Sequence, residues 1–560
     1  MRHRASLGDF ARVAEDISRT TRKNEKVRIL SDFLKKLSDD DLRIVCIFLT
    51  GSPFPLHDQR KLNVGGSTIK GALFEVTGCT EGLFRDALLK YGDLGCATEY
   101  LMKRNRLKLP TGTSYILPVG RRSLNLAEVH HTFERIAEAE GKGTQEVRER
   151  LVNFLLQNAS PLEAKYLIKI FTSDLRLGLK ENLVEEAIAL AFDEDIDSVR
   201  EANMLLSDIG EVAILTRGRQ LNEASLNPFR PIKFMLAEAV QAPEEVFEIF
   251  SPTRGVFVED KYDGIRVQAH KRGQEVRLYS RTLDDITISF PDVVDDFKEF
   301  MGDIILDGEI VAFDGRFLPF HWLQQRLRRK EPTPELIREV PVILFFFDLL
   351  YLNGENLLKE PLRKRMEILQ SLSFAGKLTS AHRAIASNAQ EVERYFREAR
   401  NKGNEGLVIK DPDSSYQPGK RGKYWLKLKE ELGILDVVVV AAEYGHGKRA
   451  GVLSDYTFAV KNGDSFKIVG KAYSGLTDQE IAELTGWFLE NTIQDLGAMK
   501  IVKPEVLLEV AFDSIQRSTR HDSGFALRFP RIKRIRRDKT PSQINTLEDV
   551  KVLYETTHGS

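Results

Sequence analysis

The stretch EDKYDG, from Glu259 to Gly264, places a lysine among carboxylates between two short alternating apolar runs. Alternation of apolar and polar residues is typical of strands that bury one face. A charged side chain in such a strand needs a partner of opposite charge or has a function. Lys261 is therefore a candidate nucleophile, although a solvated turn lysine would explain this short K-x-D-G pattern on its own. A nucleophilic lysine must lose its proton, because an ordinary pKa of about 10.4 keeps it charged at pH 7.

Paired carboxylates follow in a second strand-like stretch. In IILDGEIVAF, Asp307 and Glu309 are two residues apart and therefore lie on one face of an otherwise apolar strand. Neighbouring carboxylates repel each other unless a cation lies between them, and a hard, oxygen-seeking ion such as Mg²⁺ suits them. In GNEGLVIKD, Glu405 stands at the start of another buried-looking strand. The pair on one strand face thus predicts a divalent-metal site.

Basic and aromatic residues mark the remaining candidate stretches. LYSRTLDD ends a strand with Ser280 and Arg281, and KRGKYWLKLK alternates apolar residues with lysines that need a partner such as phosphate. Lysines that protect an edge strand from aggregation are the simpler interpretation of the second stretch. FFFDLLYLNG is typical of a central strand, in which Phe347 alone would be core. LRFPRIKRIRRDK has seven basic residues and one acid from Arg528 to Lys539, with apolar residues interleaved as in a folded element.

These stretches need elements to position them, and the spacing of apolar residues changes twice along the chain. In residues 1–226 the apolar positions recur at helical spacing, and prolines mark the boundary that follows. Residues 227–429 mix period-two strands with helices, which predicts an α+β domain. Residues 430–560 are rich in strands, with a hairpin turn at Asn462-Gly463, which predicts a small barrel. We therefore expect a multidomain protein with these three domains.

The overall composition excludes several classes of protein. The chain has 560 residues, of which 42% are hydrophobic, and a formal net charge of -1, so any basic surface for nucleic acid must be local. No run approaches the roughly 18 apolar residues of a membrane span. Three scattered cysteines argue against a disulfide framework or a four-cysteine zinc module. The sequence GKGT is not a P-loop, because the full glycine spacing and a preceding buried strand are missing.

Seven stretches, taken in order, resemble the collinear motifs of the nucleotidyltransferases that form a covalent lysyl-nucleotide. The closest resemblance is to the ATP-dependent DNA ligases of the archaeal and eukaryotic replicative type. SPLEAKYLIKIFTSDLRLGL is similar to the signature of their helical DNA-binding domain, and NPFRPIKFMLA is similar to the start of their catalytic core. The resemblance implies a helical DNA-binding domain over 1–226, a nucleotidyltransferase (ATP-grasp-like) adenylation domain over 227–429 and an OB-fold over 430–560. The seven stretches are EDKYDGIR, SRTLDD, LDGEI, FFFDLLYLNG, EGLVIK, YWLKLK and RIRRDK.

The resemblance also implies roles for single residues. Lys261 would take the adenylyl group of ATP, and Phe347 would stack on adenine. Arg536 and Lys539 would approach the leaving pyrophosphate when the C-terminal domain closes. The residues that would contact the nucleotide are Glu259, Arg266, Arg281, Glu309, Phe347, Arg421, Lys427, Arg536 and Lys539.

A metal site is implied as well. Mg²⁺, or another divalent cation such as Mn²⁺, would bind Glu309 and Glu405, so we expect these carboxylates not to form a salt bridge with the lysine. Gly264 would let the backbone pass close to the nucleotide. Arg537 is a departure from the family, which often has an acidic residue at this position.

The implied reaction is the sealing of a nick in duplex DNA, in replication, repair and recombination. The adenylyl group would pass from the lysine to the 5′-phosphate of the nick, and the 3′-hydroxyl would then displace AMP. An RNA ligase or a capping guanylyltransferase shares the core motifs, and an inactive nucleic-acid-binding scaffold is the alternative from another class. We expect a soluble, cytoplasmic, nucleoid-associated monomer from a prokaryote, with an archaeon as the expected source. A sliding clamp is a candidate partner, although the sequence has no convincing clamp-binding peptide.

Overall fold

The chain divides into two compact units in the computed structural model. The first consists of Met1–Pro53, Arg60–Ala191 and Glu431–Ser560, and the second of Phe54–Gln59 and Phe192–Glu430. Among the described residues, no helix is both long enough and apolar enough to cross a bilayer. The structure describes residues 4–107, 124–250, 255–327, 331–429, 433–445, 449 and 451–558.

The N-terminal region is helical, as its apolar spacing predicts. Several helices begin at a polar cap: Ser6, Asn125 and Ser160 each accept a hydrogen bond from the backbone N–H three residues on, and the acid there accepts one in return. The last two helices, α11 and α12, belong to the second unit. The helices are α1 (Leu7–Arg19), α2 (Lys23–Leu34), α3 (Asp39–Phe48), α4 (Gly66–Thr77), α5 (Glu81–Tyr91), α6 (Leu94–Leu107), α7 (Leu126–Glu138), α8 (Thr144–Asn158), α9 (Pro161–Phe171), α10 (Glu181–Phe192), α11 (Ile196–Leu206) and α12 (Ile209–Gly218).

Strands and helices alternate through the rest of the second unit, as the mixed spacing predicts. The strands are β1 (Leu236–Val240), β2 (Val256–Lys261), β3 (Ile265–Arg272), β4 (Glu275–Ser280), β5 (Ile304–Ala312), β6 (Val342–Leu352), β7 (Glu355–Asn356), β8 (Leu378–Ser380), β9 (Arg383–Ala386), β10 (Gly406–Lys410) and β11 (Arg421–Lys429). The helices are α13 (Pro243–Ile249), α14 (Pro291–Lys298), α15 (Phe320–Leu327), α16 (Pro334–Glu339), α17 (Leu362–Ser371) and α18 (Ala389–Asn401).

Two sheets hold these strands. One has the order β4-β3-β5-β6-β7, with β8 parallel to β6, and the other has the order β1-β11-β10-β2-β9, in which β1 runs parallel to β11. Each sheet buries one apolar face: Val267 and Leu306 belong to the core of the first, and Val258, Leu407 and Leu426 belong to the core of the second. Because side chains alternate along a strand, the other face of each sheet receives the polar residues between these positions.

The C-terminal region is rich in strands, as predicted. The hairpin at Asn462-Gly463 joins two long antiparallel strands, and Gly463 has a φ of +61°, which a tight hairpin turn requires. One sheet has the order β14-β13-β12-β16-β15, with β17 beside β12 and β20, and β18 pairs with β19. The elements are β12 (Gly433–Tyr444), β13 (Leu453–Asn462), β14 (Ser465–Ala472), α19 (Asp478–Glu490), β15 (Thr492–Asp495), β16 (Met499–Val502), β17 (Leu507–Phe512), β18 (Ser514–Arg517), β19 (Phe525–Arg528), β20 (Arg531–Ile535) and α20 (Leu547–His558).

Candidate active site

Three neighbouring strands, β2, β10 and β11, bring the charged stretches together on one face of a sheet. Gly406 of β10 lies between Lys261 and Lys429, and in the next row on the same face Glu259 and Lys427 lie on either side of β10. Residues opposite each other on antiparallel strands point to the same face, and every second residue shares it. Because the intervening residues fill the apolar core, the register alone collects these charges on one surface.

Lys261, at the end of β2, forms an ion pair with Glu405, just before β10. The backbone supports this pairing, since the Glu405 N–H donates to the Lys261 carbonyl oxygen at 2.9 Å. The lysine side chain is 24% exposed and the glutamate side chain 37%, so a substrate can reach both. The expectation that Glu405 would not form a salt bridge with this lysine is wrong, because their opposite charges lie within hydrogen-bonding reach.

Several cations lie around Lys427. Burial lowers the pKa of Lys427, and the positive charges of Lys429, Lys261, Arg421 and Arg281 lower it further. The predicted nucleotide-contacting residues Arg281 and Arg421, and the candidate nucleophile Lys261, therefore each lie within electrostatic range of Lys427. Like charges repel, and a phosphate chain with several acceptor oxygens would neutralise them. We call these five residues the cation cluster.

Arg266, on β3, is held by a buried carboxylate. Its Nε and Nη2 donate to Asp307 at 3.0 and 2.7 Å, and Tyr416 Oη donates to the same carboxylate at 2.7 Å. Although burial disfavours the charge, Asp307 raises the pKa of Arg266 above its ordinary value. The partner of Asp307 is thus a guanidinium, and the prediction of a metal ion shared by Asp307 and Glu309 is corrected for Asp307.

Glu309 lies on the same face of β5. Burial raises the pKa of Glu309 to about 8; the positive charges of Lys261 and Arg266 oppose this rise, and the negative charge of Glu405 adds to it. Within the described residues, no group of three or more His, Cys, Asp or Glu side chains is arranged to hold a metal ion. Glu309 and Glu405 are two carboxylates acting on each other beside the lysine, and two carboxylates plus substrate phosphates are the usual ligands of Mg²⁺ in nucleotide sites.

Glu259, predicted to contact the adenine region, is paired with two buried cations. Arg383 Nε donates to Glu259 Oε1 at 2.7 Å, Arg383 Nη2 donates to the same oxygen, and Lys410 Nζ lies 2.6 Å from Glu259 Oε2. Each of the three side chains is less than a tenth exposed. Burial lowers the pKa of Lys410, although the charge of Glu259 opposes this effect. An adenine base that contacted Glu259 would therefore find this carboxylate already held in position by its two cations.

Phe347 is the extra residue of a β-bulge where β6 pairs with β5. A bulge re-aims a side chain. The half-buried ring has Lys410 Nζ 4.5 Å and Arg266 Cζ 5.4 Å from its centroid, and the ring of Trp425 meets it edge-on at 6.2 Å between centroids. The apolar run alone favours a core residue, whereas the bulge puts this ring beside the predicted site residues.

Gly264 is required by the protein's own backbone. A Cβ at this position would lie 2.3 Å from the Ile310 carbonyl oxygen and 2.9 Å from Cγ of Glu309. Both approaches are too close for any side chain. Strand β5 therefore accounts for this glycine by itself, and the close approach of its backbone to the nucleotide stays a prediction.

Arg536 and Lys539 belong to the other compact unit. There Arg536 Nη1 lies 2.7 Å from Asp436, and Lys539 Nζ lies 2.5 Å from the same carboxylate. Hydrogen bonds to Asp538 raise the pKa of Arg536. These two predicted residues thus form a cluster around Asp436, whereas the other predicted site residues all lie in the second unit.

Two residues of the site have no clear sign in the sequence. Tyr416 stands in a polar, turn-rich segment between two recognised stretches, and only its isolation as an aromatic there could have drawn attention to it. Arg383 lies on a short strand, 124 residues from its partner Glu259 along the chain. Their partners are set by the pairing of distant strands, which a local pattern does not reveal.

Comparisons with known proteins find relatives along most of the chain. Family models match three consecutive segments: DNA ligase N terminus at residues 6–189, ATP dependent DNA ligase domain at 234–429, and ATP dependent DNA ligase C terminal region at 449–539. A protein from Koribacter versatilis named "Probable DNA ligase" is 43% identical, and the match covers 98% of this chain and 96% of that one. A "DNA ligase" from Methanothrix thermoacetophila is 38% identical, with 98% of each chain covered. The solved structure "Pmar-Lig_Pre." covers 94% of this chain and 99% of its own with a TM-score of 0.55 and 16% identity, which supports the fold alone.

The fold, the site and these matches define the class of protein: the chain belongs to the ATP-dependent DNA ligase family. Its activity is the sealing of nicks in duplex DNA, with ATP as the nucleotide and nicked DNA as the substrate. Roles in replication and repair are typical of these ligases. The RNA ligase, guanylyltransferase and scaffold alternatives are accordingly set aside.

Proposed function

We propose that Lys261 is the nucleophile that takes the adenylyl group from ATP. The observation that carries this proposal is the position of its amine, at the end of β2, within the electrostatic range of both Glu309 and Lys427. In this step the Nζ–P bond forms at the α-phosphorus, the bond to the β-phosphate oxygen breaks, and pyrophosphate leaves. The amine must first separate from Glu405 and lose its proton, because only the neutral form has a free electron pair.

The surrounding residues would orient the nucleotide. Phe347 would stack on adenine, beside the network of Glu259, while Arg266 contacts the ribose or a phosphate. The cations Arg281, Arg421 and Lys427 would neutralise the phosphates. Positioning and charge neutralisation supply most of the catalysis in such phosphoryl-type transfers.

A divalent cation, Mg²⁺ or Mn²⁺, would be held by Glu309 and Glu405. The donor set fits, since both ligands are hard oxygens, and the raised pKa of Glu309 means that a cation there would replace a proton at neutral pH. When bound, this ion would neutralise phosphate charge on ATP. Glu405 in that arrangement would no longer hold the Lys261 ammonium.

The later steps complete the seal. The adenylyl group would pass from Lys261 to the 5′-phosphate of the nick, and the 3′-hydroxyl would then attack this phosphate and release AMP. The C-terminal region, as an OB-fold over 430–560, would supply Arg536 and Lys539 to the leaving pyrophosphate in the first step only. These boundaries, with 1–226 as DNA-binding and 227–429 as adenylation domain, accommodate the three segments matched by the family models.

Incubation with α-labelled ATP and Mg²⁺ tests the proposal. The wild-type protein should acquire a labelled adenylyl group that Lys261→Ala lacks, whereas Lys402→Ala, an exposed lysine of the same unit that pairs with Asp260, should label normally. Because the lysine receives the adenylyl group in the first step and gives it up in the second, it has no part in the third, and Lys261→Ala should still seal a nick that already has AMP on its 5′-phosphate. A labelled Lys261→Ala protein would refute the assignment.

Two finer points belong to the same proposal. We propose that the protein acts as a monomer, and light scattering of the enzyme with and without nicked DNA would measure its mass. Recruitment by a sliding clamp is the second point, and stimulation of sealing by an added clamp on circular nicked DNA would test it.

A further inference from the structure

The turn that carries Arg281, residues Ser280–Asp285, has a conformation that leucine rarely adopts. Leu283 has a φ of +65° and is only 4% exposed. Two backbone hydrogen bonds close the turn, from Ser280 N–H to Asp284 O and from Leu283 N–H to Ser280 O, both at 2.8 Å. A residue with a Cβ stays in the left-handed region only where its surroundings fix it there. The conformation of the turn therefore depends on the groups that bind its remaining backbone N–H and carbonyl groups.

One side-chain amide from a distant segment binds two of these backbone groups. Gln59 Nε2 donates to Leu283 O at 2.9 Å, and Asp285 N–H donates to Gln59 Oε1 at 2.7 Å. The two backbone groups on either side of Asp284 are thus satisfied by a single amide, in the way that a neighbouring strand would satisfy them. Gln59 lies more than 220 residues from both partners along the chain.

The segment that supplies this amide is short and unusual in its membership. Phe54–Gln59 belongs to the compact unit that contains the site, although Met1–Pro53 and Arg60–Ala191, the chain on either side of it, belong to the other unit. Gln59, at the end of this segment, therefore makes its two hydrogen bonds to the turn that bears Arg281 within one compact unit.

We propose that Gln59 is a positioning residue for nick sealing, which acts by fixing the turn that presents Arg281. The proposal rests on the proposed function of Arg281 in the cation cluster, whose charge already acts on Lys427 beside Lys261. Without the amide, Leu283 O and the Asp285 N–H lose their partners and the left-handed Leu283 loses its support. Arg281 would then sample several positions and neutralise phosphate less effectively.

A double-mutant cycle tests whether Gln59 acts through Arg281. The rate of sealing of a nicked duplex at saturating ATP would be measured for wild type, Gln59→Ala, Arg281→Ala and the double variant. From the net contribution of two hydrogen bonds, Gln59→Ala should seal about tenfold more slowly. Gln59→Ala should change the same kinetic parameter, kcat or KM for nicked DNA, that Arg281→Ala changes. In the Arg281→Ala background, Gln59→Ala should slow sealing by less than a further factor of about two.

Controls separate positioning from a general loss of stability. Gln59→Glu retains an acceptor for the Asp285 N–H but has no donor for Leu283 O, so it should fall between wild type and Gln59→Ala. Asn388→Ala removes the N-cap of α18 in the same unit without touching the turn, and it should seal within about twofold of wild type despite its lower melting temperature. If Gln59→Ala does not fold, Gln59→Glu takes its place in the cycle.

The outcomes distinguish the two proposals. Multiplicative effects in the double variant, or an unimpaired Gln59→Ala beside an impaired Arg281→Ala, would overturn the role of Gln59 alone. An unimpaired Arg281→Ala would overturn the proposed role of Arg281 and this inference with it. The adenylation of Lys261 is tested separately and is untouched by either result.

Discussion

The hydroxyl of Tyr416 is the part of the site whose removal gives the clearest test of how Arg266 is held. It donates to Asp307 Oδ2 at 2.7 Å and accepts a hydrogen bond from the Met235 N–H at 3.1 Å. Burial raises the pKa of Tyr416 well above its ordinary value, so the hydroxyl remains a donor at any working pH. Tyr416→Phe removes this one oxygen and keeps the ring that packs against Trp425.

The size of the effect follows from the two hydrogen bonds that this oxygen makes. A hydrogen bond to a charged group contributes about 1.5–3 kcal/mol net, and a buried backbone N–H left without its acceptor costs about 1 kcal/mol more. We therefore expect Tyr416→Phe to lower the free energy of unfolding of the second unit by about 2.5–4 kcal/mol. Asp307 still holds Arg266 through two hydrogen bonds, so the KM for ATP should rise by a smaller amount, about tenfold or 1.4 kcal/mol.

Self-adenylation at a series of ATP concentrations gives this KM, and urea unfolding followed by tryptophan fluorescence gives the stability. Tyr166→Phe is the matched control, since Tyr166 is a buried tyrosine that donates to Glu15 at 2.9 Å in the other unit. It should lose comparable stability with an unchanged KM for ATP. An unchanged KM in Tyr416→Phe would refute the reasoning, because Arg266 would then be oriented without the hydroxyl.

Three further predictions concern single residues. Burial lowers the pKa of His270 from 6.5 to about 3. The resulting contribution to the free energy of unfolding is fully present above pH 6.5 and falls below it, because the unfolded state takes up a proton there. Urea titrations should show a loss of about 2 kcal/mol in the free energy of unfolding from pH 7.5 to 5, and this loss should vanish in His270→Gln. Gly264→Ala should abolish self-adenylation and lower the melting temperature, since its Cβ would lie 2.3 Å from Ile310 O. Gly273→Ala, which has a φ of +59° but no atom within 4 Å of the added Cβ, should also lose stability and yet retain labelling. Because burial raises the pKa of Glu309 to about 8, the apparent Mg²⁺ affinity in self-adenylation should rise with pH up to about 8, and a flat dependence, or the same slope in Glu309→Gln, would contradict the proposed metal ligand.

The elements of the site could be predicted from the sequence because their signals are local. Alternation at Glu259 and Lys261, and again at Lys427, marks strands with one charged face, and the order of seven such stretches identifies the family. Capped, periodic helices in the N-terminal region are equally local signals. The alternation of residues within each strand thus specifies the face of the strand on which a side chain lies.

The partners within the site could not be predicted, because they depend on strand register and on loops. The ion pair of Lys261 with Glu405 joins residues 144 apart, and the pairing of Arg266 with Asp307 replaces the expected metal ion by a guanidinium. Gly264 is similar: its spacing from the lysine is visible in the sequence, whereas the carbonyl oxygen that forbids a side chain comes from β5. Tertiary packing therefore decides electrostatics that composition leaves open.

The two faces of the β1-β11-β10-β2-β9 sheet have a consequence for how this enzyme can change. In β2 the odd-numbered residues 257, 259 and 261 share the face of the candidate site, and the even-numbered Val258 belongs to the apolar core that also includes Val246 of α13 and Val392 of α18. Insertion of a single residue before position 257 would exchange the two sets, so that the side chain of Lys261, the proposed nucleophile, would point into the apolar core and a valine would take its place. Variation in strand length should consequently be lethal here even where substitutions are tolerated, and libraries aimed at a new nucleotide donor should alter side chains on the odd positions and leave the length untouched.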